Sequence, residues 1–132
     1  MATRWTHITI GVSDIDLSVK FFKEFCGLTV IRDRRQEGGG TVWLGYETSD
    51  GQNPIYVLVI AEEEKFPLLD HFGFQCDSRE EVDKIAAKAN EAGLLIHEPK
   101  DSGGSVGYWT MIRHPDGHLV EFTFGQPIEG LR

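Results

Sequence analysis

Cysteine is scarce in this 132-residue chain: Cys26 and Cys76 are the only two. One falls in an amphipathic helical stretch and the other in an alternating strand-like stretch. That excludes a disulfide framework and reads as two small buried hydrophobes in a reducing compartment. Excess positive charge is missing too. With 21 acidic against 13 basic residues the net charge is −8, which excludes partners that need a basic surface, namely nucleic acid and anionic membrane. No apolar run approaches the roughly 20 residues that span a bilayer. The segment MATRWTHITIGV lacks the hydrophobic region of a signal peptide, so a cytoplasmic location is expected. The glycine-rich stretch RRQEGGG at 34–40 has no phosphate-loop pattern and is expected to be a flexible turn or lid edge. The length leaves room for one domain with a real core and not for two ordinary ones.

What is present is order that recurs. Residues 5–12 (WTHITIGV) alternate, with Thr6, Ile8, Ile10 and Val12 on one face and Trp5, His7, Thr9 and Gly11 on the other. Ser13-x-x-Asp16 opens a helix whose stripe is Ile15, Val19, Phe22 and Cys26, ended by Gly27. Strands are expected near 28–33, 40–46 and 54–61. The second half repeats the plan. Residues 69–76 (LDHFGFQC) put Asp70, Phe72, Phe74 and Cys76 opposite His71, Gly73 and Gln75. Ser78-x-x-Glu81 caps a helix carrying Val82, Ile85, Ala86 and Ala89, ended by Gly93. Strands follow near 94–99, 106–113 and 118–125. His7 and His71 are 64 residues apart, Ser13 and Ser78 65, and Gly27 and Gly93 66. The turn pairs Asp50-Gly51 and Asp116-Gly117 are also 66 apart. Four landmarks of different kinds in one order predict an α+β fold of two tandem βαβββ modules, residues 1–65 and 66–132, joined at the charged stretch Glu62–Lys65. Neither module could bury its sheet alone, so 1–132 is expected to be a single domain.

Three side chains stand out. His7 and His71 lie on the less apolar faces of the first strand of each module. Glu121 lies in the last strand, after the turn Pro115-Asp116-Gly117, with Leu119 and Thr123 on its face and Val120, Phe122 and Phe124 on the other. A carboxylate in so apolar a strand is costly unless paired or bound to metal. A strand histidine taken alone is more often a hydrogen-bonded core residue; the matching positions in a repeat raise the other reading. Two imidazoles and one carboxylate on rigid strands suit a divalent ion with open coordination positions, and Zn, Fe, Mn, Ni and Co all fit that ligand set. Thr9, Gln75 and Thr123 share faces with the candidate ligands and are expected to bind substrate, with Trp43, Tyr108 and Trp109 as walls. His97, His114 and His118 read as turn or edge residues, and Lys100 and Arg113 as surface charges.

The pattern HITIGVSD…FF…CGL, then HFGF, then EPKDSGG…HPDGHLVEF resembles the vicinal oxygen chelate superfamily over essentially the whole chain. That superfamily includes glyoxalase I, type I extradiol dioxygenases, fosfomycin-resistance thiol transferases and bleomycin-binding proteins. The resemblance implies paired βαβββ modules forming a cupped mixed sheet around a divalent metal, with His7, His71 and Glu121 matching family ligands. It implies an enzyme of lyase, isomerase or thiol-transferase type acting on a small substrate with vicinal oxygens, a homodimer, and Glu121 as a ligand that can also act as base. Departures narrow the subfamily. The fourth, carboxylate ligand of glyoxalase I falls at Ile55, with Val57 on the same face, and neither can ligate. Extradiol enzymes carry a Tyr where Met111 stands and a His a few residues earlier that is absent. Fosfomycin-resistance enzymes share His-x-Thr, matched by His7 and Thr9, and a DPDGH turn, matched in part by HPDGH. Their acidic serine loop is not evident in SGGSVGYW. The alternative is a metal-free, bleomycin-like antibiotic-binding protein; that branch usually lacks the His/His/Glu set that is intact here.

Overall fold

A computed structural model describes residues 5–49 and 56–127. The chain divides into two compact units, Met1–Leu68 and Leu69–Arg132. Phe66 belongs to the first, where a Cβ added to Gly11 would collide with its side chain. The fold is α+β, with two four-stranded mixed sheets and one helix against each.

In the first unit β1 (His7–Val12) leads into α1 (Ile15–Cys26), then β2 (Thr29–Asp33), a 3-10 turn (Arg35–Glu37), β3 (Thr41–Gly45) and β4 (Val57–Glu62). The sheet order is β1-β4-β3-β2, with β1 and β4 parallel and the other pairs antiparallel. Helix α1 starts one residue later than the Ser13 signal suggests. Asp14 is the cap, its carboxylate accepting from the Leu17 N–H at 3.0 Å. Gly27 ends the helix at φ 70°, with its own N–H and that of Leu28 reaching back to Lys23 and Phe22 carbonyls; only glycine takes that conformation at no steric cost. The helix seats Ile15, Phe21, Phe22 and Phe25 on Ile10, Val12, Val42, Leu44, Leu58 and Ile60, all buried. The glycine-rich segment is organised by ions: Arg35 bridges Asp33 and Asp16, and Arg32 pairs with Glu37.

The second unit repeats the order with β5 (Phe72–Gln75), α2 (Arg79–Glu91), β6 (Leu95–Asp101), β7 (Tyr108–Arg113) and β8 (Leu119–Phe124). Its sheet order is β5-β8-β7-β6, again with one parallel pair, β5 and β8. Ser78 caps α2, accepting from the Glu81 N–H at 3.2 Å, while the Glu81 carboxylate accepts from the Asp77 N–H. Strand β5 is shorter than its alternation suggests, so His71 stands just before it; β6 runs on to Asp101. The expected turn Asp50-Gly51, the start of the strand at 54 and the Ile55 position lie outside the described residues. No described helix is long and apolar enough to cross a membrane.

His114 and His118 are not edge residues. They are 1% and 0% exposed, rings 5.4 Å apart, in the turn between β7 and β8. Both are even-numbered, in phase with Ile112 and Val120, so strand alternation carries them into the helix-side core. Burial pushes the His114 imidazole down to about 4, against the opposing pull of the Asp116 carboxylate. Its Nδ1 accepts from the Asp116 N–H at 3.0 Å, so the turn is built on the neutral ring.

Candidate metal centre

Each sheet has one face under its helix and one face that the helix leaves open. Register decides which residues share the open face. In the first unit Thr9, Val59, Trp43 and Arg32 form one row across all four strands, with His7 and Val57 in a neighbouring row. In the second unit Gly73, Glu121, Met111 and His97 form one row, and Gln75, Thr123, Trp109 and Lys100 the next.

The second unit brings two of the three expected ligands together. His71 Nε2 lies 3.9 Å from Glu121 Oε2. That is too long for a hydrogen bond and within the span of two donors that share one ion at about 2.0–2.2 Å each. Asp70 accepts at 2.7 Å from His71 Nδ1, which fixes the ring and turns Nε2 toward Glu121. An outer carboxylate on the second nitrogen is the arrangement that ligating imidazoles generally need. The Glu121 side chain is 16% exposed, and no described residue donates a hydrogen bond to it. A half-buried carboxylate facing only an imidazole carries a desolvation cost that a cation would offset. Gly73, opposite in register, makes the room: a Cβ there would lie 3.3 Å from Glu121 Oε2. The donor set therefore fits a divalent ion.

In the first unit His7 is exposed, and its Nδ1 is engaged by the Thr6 hydroxyl at 2.9 Å, leaving Nε2 outward. Thr9 is exposed on the same face. Trp43 is half-buried there, with the guanidinium carbons of Arg32 and Arg34 each 5.9 Å from its ring centre. Among the described residues no group of three or more His, Cys, Asp or Glu side chains assembles to hold an ion.

Of the remaining expected site residues, Gln75 is exposed beside Thr123, which is 3% exposed between Gln75 and Trp109. Trp109 stacks on His97 at 4.4 Å, and its Nε1 donates to Ser102 Oγ. Tyr108 is a correction. It is paired with Phe124 and turned to the helix side, where its hydroxyl meets Asp83 of α2 and Arg79 covers its ring. Adjacent strand residues point to opposite faces, so Tyr108 and Trp109 cannot both wall the face of Glu121. Sequence reasoning missed the supports of this pair, Asp70 and Gly73. The Asp-His dipeptide was the visible signal for the first, and nothing local marked the second.

Comparisons with known proteins identify the family and the fold. The sequence model of the Glyoxalase/Bleomycin resistance protein/Dioxygenase superfamily matches residues 4–122. The chain belongs to that superfamily. An uncharacterised protein of Pseudomonas aeruginosa is 37% identical over 97% of this chain and 93% of its own length. The glutathione transferase FosA of Serratia marcescens is 27% identical over 90% of this chain and 79% of its own. A solved structure described as a possible glyoxalase from Bacillus cereus superposes with a TM-score of 0.69 at 26% identity, covering 92% of this chain and 99% of the other. The superfamily assignment accounts for the doubled βαβββ topology.

Proposed function

We propose that the protein is a divalent-metal-dependent enzyme of the glyoxalase and thiol-transferase type, acting on a small substrate with vicinal oxygens. His7, His71 and Glu121 are the ligands of that proposal, and Zn, Fe, Mn, Ni or Co the candidate ions. The observation that carries it is the Asp70–His71–Glu121 chain, an oriented imidazole nitrogen 3.9 Å from a half-buried carboxylate. When bound, the ion would supply Lewis-acid polarisation of the substrate oxygens. Glu121 serves as ligand and as proton acceptor. Thr9 and Gln75 offer exposed hydrogen-bonding groups, Thr123 closes the face behind Glu121, and Trp43 and Trp109 exclude water from one side of a bound molecule. The proposal includes one domain over 1–132, a homodimer and a cytoplasmic location. The FosA relative supports the choice of thiol-transfer chemistry within the superfamily.

Elemental analysis of the purified protein tests the reading. Stoichiometric metal is expected in the wild type and its loss in His7→Ala, His71→Ala and Glu121→Ala, each with an unchanged circular dichroism spectrum. Undiminished metal in all three variants removes the ligand set. The His97–Trp109 stack favours, as a second reading, a metal-free module that binds flat molecules. Tight binding of a bleomycin-like aromatic by metal-free protein, with no metal taken up, would establish that reading instead.

A further inference from the structure

Strand β6 changes phase twice. Leu95 stands opposite Ile112, His97 opposite Met111 and Lys100 opposite Trp109, with a register shift on either side of His97. Ile112 is fully buried on the helix side, so regular alternation from Leu95 would carry His97 to that side, under α2. The first shift turns it onto the open face instead, in the row of Met111, Glu121 and Gly73. The second lets Lys100 share that face, although residues three apart in a regular strand point to opposite sides. Bulges give up ladder hydrogen bonds, and beside functional sites they re-aim a side chain. The re-aimed imidazole is also held still. His97 is exposed, and an exposed ring ordinarily keeps its rotamer freedom. Here Nδ1 donates to the Glu98 carbonyl at 2.6 Å, and the His97 carbonyl accepts from the Thr110 hydroxyl at 2.6 Å. The ring lies on Trp109 with centroids 4.4 Å apart, and Trp109 is itself tied through Nε1 to Ser102 Oγ at 2.9 Å.

With Nδ1 engaged by the main chain, Nε2 is the nitrogen left for a ligand. When an oxyanion meets it, Nε2 carries a proton and the ring is a cation, a state that the indole beneath favours. Lys100, exposed on the same face, adds a positive charge beside it. We infer that His97, with Lys100, binds a carboxylate of the substrate. His97 and Glu121 lie two strands apart in one row, with Met111 between them, roughly 10 Å across the sheet. The substrate is then an elongated small molecule with chelating oxygens at the His71–Glu121 end, an apolar middle over Met111 and a carboxylate at the β6 edge. Every residue named belongs to the second unit. The inference rests on the metal reading for the chelating end and on the geometry of β6 alone for the carboxylate.

Two probes of matched length separate the ends. Suberic acid monohydroxamate carries a chelating group and a distal carboxylate; octanohydroxamate carries only the chelating group. Calorimetric titration into Zn(II)-loaded wild type, His97→Phe and Lys100→Gln gives the affinities. His97→Phe keeps a ring on Trp109 and removes Nε2. It should weaken the carboxylate probe about tenfold, the worth of a lost charge-assisted hydrogen bond, and change octanohydroxamate less than about twofold. Lys100→Gln should cost the carboxylate probe about threefold, as an exposed charge does. Equal affinity of wild type and His97→Phe for the carboxylate probe overturns the inference. Where neither hydroxamate binds through the ion, the metal reading falls and suberate decides the carboxylate contact alone. It is titrated into metal-free protein labelled with nitrogen-15 in its histidines, and the His97 Nε2 resonance is assigned by its absence from His97→Phe. A shift of that resonance toward the protonated position supports the contact, and an unmoved resonance overturns it.

Discussion

The two units share a topology and differ in where they keep their bulk. In the first, the helix carries the aromatics: Phe21, Phe22 and Phe25 pack edge-on and tilted against one another over a sheet face of Ile, Val and Leu. In the second, the sheet carries them. Phe72, Phe74 and Phe122 stack along β5 and β8, and α2 offers only Val82, Ala86 and Ala89 to the buried side. Side-chain volume has moved from helix to sheet while strand order and pairing stayed the same. A core constrains total volume more than which element supplies it. The exchange leaves a mark: where the small residues of α2 face β6 and β7 there is a groove of about 400 Å³, lined by Asp83, Ala87, Asn90, Leu95, Glu98 and Tyr108.

The largest expected effect tests that equivalence directly. Phe22→Ala on the helix and Phe122→Ala on the sheet remove rings that are 0% and 1% exposed, and each should cost about 3–5 kcal/mol in urea unfolding. A cost under about 1 kcal/mol at either site would break the comparison.

Acid sensitivity should belong to the second unit. His114 is neutral in the fold with its pKa pushed down to about 4, whereas an unfolded histidine titrates near 6.5. Above about 6.5 both states hold it neutral and the stabilisation is complete. As pH falls toward 4 the unfolded chain takes up a proton that the fold refuses, and stability drops by up to about 3 kcal/mol. His114→Gln should flatten that slope in urea titrations between those pH values; an unchanged slope would assign the acid loss elsewhere.

The glycines of the two open faces come next. Gly11→Ala drives a Cβ into the Phe66 side chain near its root and should cost about 1–3 kcal/mol. Gly73→Ala meets only the Glu121 carboxylate, at 3.3 Å. It should leave stability within about 1 kcal/mol while weakening metal binding. Equal stability losses without a change in metal content would deny Gly73 its role as cradle. The smallest effect is expected at Ala87→Leu, which projects into the groove and should stay within about 0.5 kcal/mol of wild type by thermal unfolding.

Much of this architecture was legible because its signals are local and doubled. Alternation in WTHITIGV and LDHFGFQC, the Ser78 cap and the stops at Gly27 and Gly93 each follow from a backbone rule, and the repeat made each a check on its partner. Glu121 was legible as a carboxylate out of place in an apolar strand. What escaped depends on neighbours remote in sequence. Tyr108 and Trp109 look alike as aromatics, and only register with Phe124 and Thr123 sorts them to opposite faces. His114 and His118 flank a Pro-Asp-Gly turn that suggests surface, yet strand phase turns both rings inward. The Ser13 signal yielded to Asp14 because both residues can cap and only chain direction chooses between them. Arg34 is one of three arginines in a charged segment, and its place against Trp43 and Gly39 appears only in the fold.

The central claim is that His71 and Glu121 hold one ion between them, and cobalt reports on it most directly. Titration of the metal-free protein with Co(II), followed by visible absorption, should develop a d–d spectrum that saturates at one ion per chain. That spectrum should disappear in Glu121→Gln, which keeps the shape of the side chain and removes its charge. The same spectrum and stoichiometry in Glu121→Gln would contradict the account.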